Sequence, residues 1–170
     1  MAQSIRSNIQ QNYLSPLEFR FIIHRLPYTE FFTQSVNIPG ISMTPAVMPT
    51  PFKEQYFSPD KLDYSDFTVQ IRVDEQMRNY IEIVNWMKGL AFPDEFEQYA
   101  NLINSDEGLY SDATLMVLTN GKNPNINVIL KDIFPINISD LQMDTTTSDV
   151  DYVTCDITFK INNQELRIST

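Results

Sequence analysis

From Asp151 to Ile161 the chain alternates almost without error. Val153, Cys155, Ile157, Phe159 and Ile161 fall on one side of an extended strand, and Tyr152, Thr154, Asp156, Thr158 and Lys160 fall on the other. A period of two marks a strand with one face in a core and the other in water. Phe67, Val69, Ile71 and Val73 repeat the pattern against Thr68, Gln70, Arg72 and Asp74. Such half-wet strands predict an antiparallel sandwich or barrel with a polar surface.

The same reading extends along the chain. Glu18–His24 predicts a first strand, which the Leu26-Pro27 step ends because proline cannot donate to the ladder. Phe31–Ile38, closed by Pro39-Gly40, predicts a second strand that pairs with the first as a hairpin. Residues 41–62 break the pattern with Pro45, Pro49, Pro51 and Pro59, and carry Met43, Met48, Phe52 and Tyr56. They read either as a loop folded over one end of the sandwich or as an arm packed on a neighbouring subunit. Their apolar content favours the arm.

One strong helix is predicted after Phe67–Val73, with Asp74 as its cap and Met77, Tyr80, Ile81, Val84 and Met87 at helical spacing. Gly89 is placed to end it in a left-handed conformation, and Trp86 is expected to be partly buried. A weaker helix follows from Asp94 to Ile103. Strands return at Ala113–Thr119 and Ile126–Phe134, joined through the Asn120-Gly121 turn signal. Pro135 is expected to interrupt before another strand at Ile136–Met143, and Asp144–Asp149 reads as a polar turn. The expected organisation is a polar N-terminal arm over 1–14, one β domain over 15–162 and a polar tail over 163–170. The domain carries the protruding segment 41–62 and an insertion at 91–112. In all, the pattern predicts seven strands and one packed helix.

Composition narrows the function classes. A chain of 170 residues makes one domain able to bury a core. With 12 Lys plus Arg against 22 Asp plus Glu, the formal charge of -10 argues against gripping a phosphate backbone. It is compatible with a wall that a polyanion slides past. The lone Cys155 excludes an internal disulfide and reads as a small core residue. No run approaches the roughly 20 apolar residues of a membrane span, and the N-terminal stretch reads neither as a signal peptide nor as an anchor. The Asn137-Ile138-Ser139 triplet, without a secretory signal, reads as chance.

Candidate chemistry is sparse. One histidine, His24, and one cysteine cannot supply three or four zinc ligands. Asp140, Asp144, Asp149 and Asp151 lack the spacing of a calcium loop and read as a solvated acidic turn. The four glycines are too scattered for a phosphate loop. Neither a nucleophile with its base nor a cofactor site is expected. An aromatic-rich β-sandwich that binds a ligand is the competing non-catalytic reading.

Three stretches then sharpen the picture. FRFIIHRLPYTEFFTQSVNIPG, LDYSDFTVQIRVDEQMRNYIEIVNWMKGL and KDIFPINISDLQMDTTTSDVDYVTCDITFKI, in that order, resemble the opening hairpin, the strand with its Trp-bearing helix and the closing strands of the tail tube proteins of contractile phages. The resemblance covers about Leu17 to Ile161. It implies a ring, with six subunits the expected number, whose strands continue from subunit to subunit into one barrel. Rings would stack into a DNA conduit inside a contractile sheath, assembled in the host cytoplasm and carried in the virion. Partners implied are the chain itself and sheath, tape measure, baseplate and terminator proteins. Tube initiators, completion rings and type VI secretion tubes share the fold and stand as alternatives. On this reading Thr68, Gln70, Arg72, Asp74, Thr154, Asp156 and Thr158 face the lumen. Met43, Met48, Phe52 and Tyr56 contact a neighbouring subunit.

Overall fold

A computed structural model describes residues 14–91, 96–105, 108–144 and 152–168. Its spine is a single long strand, and the fold is best followed from the pairs that strand makes. The elements in chain order are β1 (Phe19–Ile23), α1 (Thr29–Phe32), β2 (Thr33–Val36), β3 (Ile41–Met43), β4 (Ala46–Pro49), β5 (Glu54–Phe57), β6 (Leu62–Tyr64) and β7 (Phe67–Arg72). They continue as α2 (Arg78–Ala91), α3 (Phe96–Ile103), β8 (Ser111–Leu118), β9 (Pro124–Ile138), β10 (Thr154–Lys160) and β11 (Asn163–Ile168).

The main sheet is seven-stranded and runs β1-β8-β9-β10-β7-β2, with β11 also on β9, and the registers between its neighbours are antiparallel. β9 is 15 residues long. Its first half pairs with β8 on one edge and β11 on the other, and its second half pairs with β10. The buried positions of β9 are Val128 and Leu130, then Ile133 and Pro135. The change of parity falls at Asp132, whose φ of 54° makes the bulge that bends the strand. The Asp112 carboxylate accepts from the Asp132 N–H at 3.1 Å, so the bend leaves that donor satisfied. A second irregularity, between the Asn137 and Pro135 pairs, leaves Ile136 exposed.

The alternating faces meet in the core. Across β7 and β10, Phe67 pairs with Phe159, Val69 with Ile157 and Ile71 with Cys155, all buried. Phe21 and Ile23 of β1 lie opposite Leu115 and Ala113 of β8. Trp86 from α2 closes the core from outside the sheet, its ring 6.3 Å from that of Phe159.

Several expectations are corrected. β1 and β2 do not form a hairpin: β1 pairs with β8, β2 pairs with β7, and the two stand at opposite ends of the sheet path. The first residues of the expected second strand instead form the single turn α1. Because β1 and β2 do not pair, the sheet is not closed into a barrel. Pro135 does not interrupt β9. It sits beside the second bulge, where the ladder is already disrupted and a missing N–H costs little. Segment 41–62 is a regular two-stranded arm, β3 on β6 and β4 on β5, rather than a loop. Residues 163–168, read as a polar tail, form β11.

The helix also differs in detail. Asp74 does not cap α2, which begins four residues later at Arg78. Buried Asn79 makes the junction: its Nδ2 donates to the Arg72 carbonyl at 2.7 Å, and its Oδ1 accepts from the N–H groups of Tyr80 at 2.9 Å and Asp74 at 3.3 Å. The buried face is Asn79, Ile83, Trp86 and Gly89, so the stripe is rotated from the predicted one and Ile81 is exposed. Gly89 lies inside the helix, where absence of a side chain suits burial, and does not end it. Trp86 is fully buried.

The face assignment is open to direct measurement. Phe159→Ala is expected to cost about 3–5 kcal/mol in denaturant unfolding. Thr158→Ala, on the opposite face, is expected to stay within about 0.5 kcal/mol. Equal losses would contradict the packing.

Candidate assembly surfaces

Two surfaces and one cleft stand out from the body. The first surface is the outer face of β7 and β10. Register places Thr68 opposite Thr158, Gln70 opposite Asp156 and Arg72 opposite Thr154, so six of the seven predicted wall residues come together. Ser35 of β2, opposite Gln70, and Asn137 of β9, opposite Thr158, extend the patch. Asp74, the seventh, lies beyond the end of β7 at the turn to α2 and is half-buried. Charges on this face are mixed. Asp156 is accompanied by Arg72, and Lys160 pairs with Asp66 at 2.8 Å. The Arg72 guanidinium lies 4.9 Å over the Tyr152 ring, and Gln34, with its amide oxygen turned inward, accepts from its Nη2 at 2.9 Å. Hydroxyl and amide groups therefore dominate the patch more than net negative charge does.

The second surface is the arm. Ile41, Met43, Val47, Met48, Phe52, Tyr56, Phe57 and Leu62 are all exposed, which includes the four predicted contact residues. Ile41 and Met43 lie opposite Tyr64 and Leu62, so one face of the arm's base is continuously apolar. A two-stranded ribbon with no core of its own is marginal in water. Its root is tied to the body: the Gly40 N–H donates to Ser65 Oγ at 2.7 Å, and Tyr64 Oη lies 3.4 Å from Asn163 Oδ1 of β11.

Between α2, α3 and the end of β1 lies a cleft of about 530 Å³ lined by Arg25, Leu26, Glu82, Asn85, Trp86, Lys88 and Leu102. Arg25 is committed there: Nη1 donates to the Gly108 carbonyl at 2.7 Å, Nη2 to Ser105 Oγ at 3.2 Å, and the guanidinium lies 5.2 Å over Trp86. Trp86 Nε1 donates to the Leu109 carbonyl at 3.2 Å. Glu82 differs, because its Oε2 is buried with no hydrogen-bond partner. Burial raises its pKa above the ordinary 4.5. No local pattern marks this cleft, which depends on how α3 folds back over α2.

Reactive chemistry is not brought together. Cys155 is buried, and its thiol pKa is pushed up chiefly by burial, with the Asp156 charge adding to the effect and hydrogen bonds from Ser139 opposing it. A thiol so held is a poor nucleophile. His24 is exposed just past β1. Among the described residues no group of three or more His, Cys, Asp or Glu is placed to hold a metal ion, and no helix is long and apolar enough to cross a membrane. Asp140 and Asp144 are exposed, and Asp149 and Asp151 lie outside the described residues.

The sign of the Glu82 effect can be tested. A carboxyl whose folded pKa is raised keeps full stability below its ordinary value of 4.5 and loses some as pH rises through the raised one. Glu82→Gln is therefore expected to raise the melting temperature at neutral pH, with the gain vanishing below pH 4.5. A variant less stable than the parent at neutral pH would show that the carboxylate has a partner.

No known protein-family model matches the chain, and no curated protein matches it in sequence. Solved structures do. A chain of the PVC sheath–tube complex of an extracellular contractile injection system, in the extended state, matches with a TM-score of 0.61 at 14% identity, over 99% of this chain and 100% of that one. The tube-terminating cap of the anti-feeding prophage matches with a TM-score of 0.63 at 13% identity, over 99% and 100%. A chain of the PVC sheath/tube terminator matches with a TM-score of 0.58 at 15% identity, over 92% and 99%. At these identities the likeness is one of fold. The architecture built from β9, with its outlying arm and its long helix α2, is the fold that these chains of contractile assemblies share.

Proposed function

We propose that the protein is a structural subunit of a contractile tail tube, assembling into stacked six-membered rings that form a DNA conduit inside a sheath. The observation that carries the reading is likeness to chains of contractile assemblies over 99% of this chain and 100% of those. A baseplate chain of the anti-feeding prophage, from a six-fold symmetrised structure, matches at a TM-score of 0.59 with 6% identity over 88% of this chain and 90% of that one, which supports the ring number. Among the described residues β1, β2 and β11 each pair along one edge, which supports a sheet completed by neighbouring subunits, since exposed edges invite pairing. A second reading, a terminator or cap ring of the same tube, draws on the comparable likeness to those proteins. The partners are then other copies of the chain, sheath, tape measure, and baseplate or terminator proteins.

The polar face of β7 and β10 is assigned to the lumen and the arm to contact between copies. Catalysis has no part in this reading, since the likeness is to structural assemblies and Cys155 is held unreactive.

Electron microscopy of the purified chain tests the assembly. Rings or tubes with a central channel are expected, and isolated monomers at high concentration would overturn the reading. Deleting residues 44–58 leaves Met43 and Leu62, already opposite each other, joined by a short turn. The shortened chain is expected to melt within a few degrees of the parent yet fail to stack, and normal tubes would remove the arm's role.

The lumen assignment has a separate test. Repulsion keeps a polyanion off the wall, whereas added lysine makes salt-sensitive phosphate contacts. Asp156→Lys is expected to form rings but slow DNA ejection, most clearly at low ionic strength. Loss of rings would place Asp156 at a subunit interface, and normal ejection in low salt would take it out of the lumen.

A further inference from the structure

The arm ends in a knob. The Thr50 N–H donates to the Lys53 carbonyl at 3.2 Å, the Lys53 N–H to Thr50 Oγ1 at 3.2 Å, and Thr50 Oγ1 also contacts the Lys53 carbonyl. These bonds close a tight turn whose outer corner is Pro51-Phe52. Phe52 is fully exposed and touches nothing that would hold it back from a partner. Lys53 follows directly, also exposed. The bonds across the turn pre-form it, which lowers the chain entropy that docking the aromatic ring would cost.

The α2–α3 cleft is complementary to that knob. Leu26 and Trp86 form an apolar floor, Leu102 one wall, and the volume of about 530 Å³ has room for a benzyl group with a lysine stem beside it. The unpartnered Glu82 Oε2 supplies what an ammonium needs. Both cations that line the cleft are engaged: Arg25 is held by Gly108, Ser105 and Trp86, and Lys88 has a partner of its own. A buried carboxylate oxygen left without a donor is costly to the folded chain, and an incoming Lys would relieve it.

We infer that Phe52 and Lys53 at the arm tip of one copy dock in the α2–α3 cleft of a second copy, the ring entering over Leu26, Trp86 and Leu102 and the ammonium pairing with Glu82. This deepens the self-assembly reading and rests on it, naming the two patches that meet. Knob and notch are different surfaces of the same chain, so the contact can repeat head to tail from copy to copy. One tip covers far less area than a stable dimer needs, so the contact works by repetition around and along an assembly.

Zero-length carbodiimide coupling of the unmodified chain tests the pair, because it forms an amide only between a carboxylate and an amine already in contact. Equal amounts of ¹⁴N- and ¹⁵N-labelled protein are mixed, coupled and digested, and cross-linked peptides are read by mass spectrometry. A Lys53–Glu82 amide joining light and heavy peptides is the expected result. In Phe52→Ala, which removes only an exposed ring and leaves the fold intact, its yield is expected to fall about tenfold, as loss of an anchoring aromatic does at other interfaces. Mixed-isotope cross-links through other pairs, with none at Lys53–Glu82, would overturn the docking while leaving self-assembly standing. Monomers alone under every concentration tested would overturn both. An unchanged yield in Phe52→Ala would remove the knob from the contact.

Discussion

Everything else in the fold depends on β9 bending without losing its hydrogen bonds. A straight strand keeps one parity, so a strand that buries Val128 and Leu130 would turn Ile133 and Pro135 to water. One extra residue at Asp132 reverses the parity, and the strand can serve β8 and β11 before the bend and β10 after it. Asp112 accepts from the Asp132 N–H across the strand pair, which makes the bend a hydrogen-bonded feature instead of a defect. β10 and β11, consecutive in sequence, follow β9 along its whole length and kink with it at Ile161 and Asn162. The chain thus turns one sheet back on itself while keeping a continuous ladder of partners.

That fold-back brings the aromatic residues into one line. Phe21 and Phe67 have centroids 5.4 Å apart, Phe67 and Phe159 5.9 Å, and Phe159 and Trp86 6.3 Å. The line crosses from β1 through β7 and β10 to α2, so it ties one end of the sheet path to the β7–β10 pair and the helix. Trp86 and Arg25 then hold the segment after α3 through the carbonyls of Leu109 and Gly108. The α2–α3 cleft is therefore tied to the core beneath it. An arm without a core and a cleft anchored to one are suited to opposite parts in a contact: the arm reaches, the cleft receives.

Strand faces were legible in the sequence because burial on one side forces alternation. Phe67–Ile71 and Cys155–Ile161 point where the pattern says. The cleft and the pairings were not legible, for identifiable reasons. β1 and β2 are neighbours in sequence, but their partners β8 and β7 are set by long-range packing that no local turn signal encodes. Pro135 reads as a breaker unless the bulge beside it is known. The face of α2 was misread because its first buried residue is polar: Asn79 earns its place through bonds to Arg72, Asp74 and Tyr80, which a hydrophobicity pattern cannot see. Thr68, Gln70, Arg72, Thr154, Asp156 and Thr158 lie on one face because each strand's alternation sets its outer side, and the pairing of β7 with β10 brings the two sets together. Asp74 was carried along by the same alternation past the point where the strand stops.

The distribution of exposed apolar groups has the same logic as the charge. Copies with a formal charge of -10 repel one another at distances up to about a Debye length, roughly 8–10 Å at ordinary salt. Many large exposed hydrophobics nevertheless lie in the arm, and others sit on β11, where Leu166 and Ile168 share the face of Val128 and Ile126 but extend past the core. Contacts of this kind act only after close approach, whereas the repulsion acts before it. Association is then selective: a partner must offer enough matched apolar surface, or a local cation such as Lys53 against Glu82, to outweigh the net charge. Random edge-to-edge pairing of β1 or β2 meets the repulsion without that reward. High negative charge with a few concentrated apolar patches therefore permits one geometry of self-contact and discourages the aggregates that open strand edges would otherwise form.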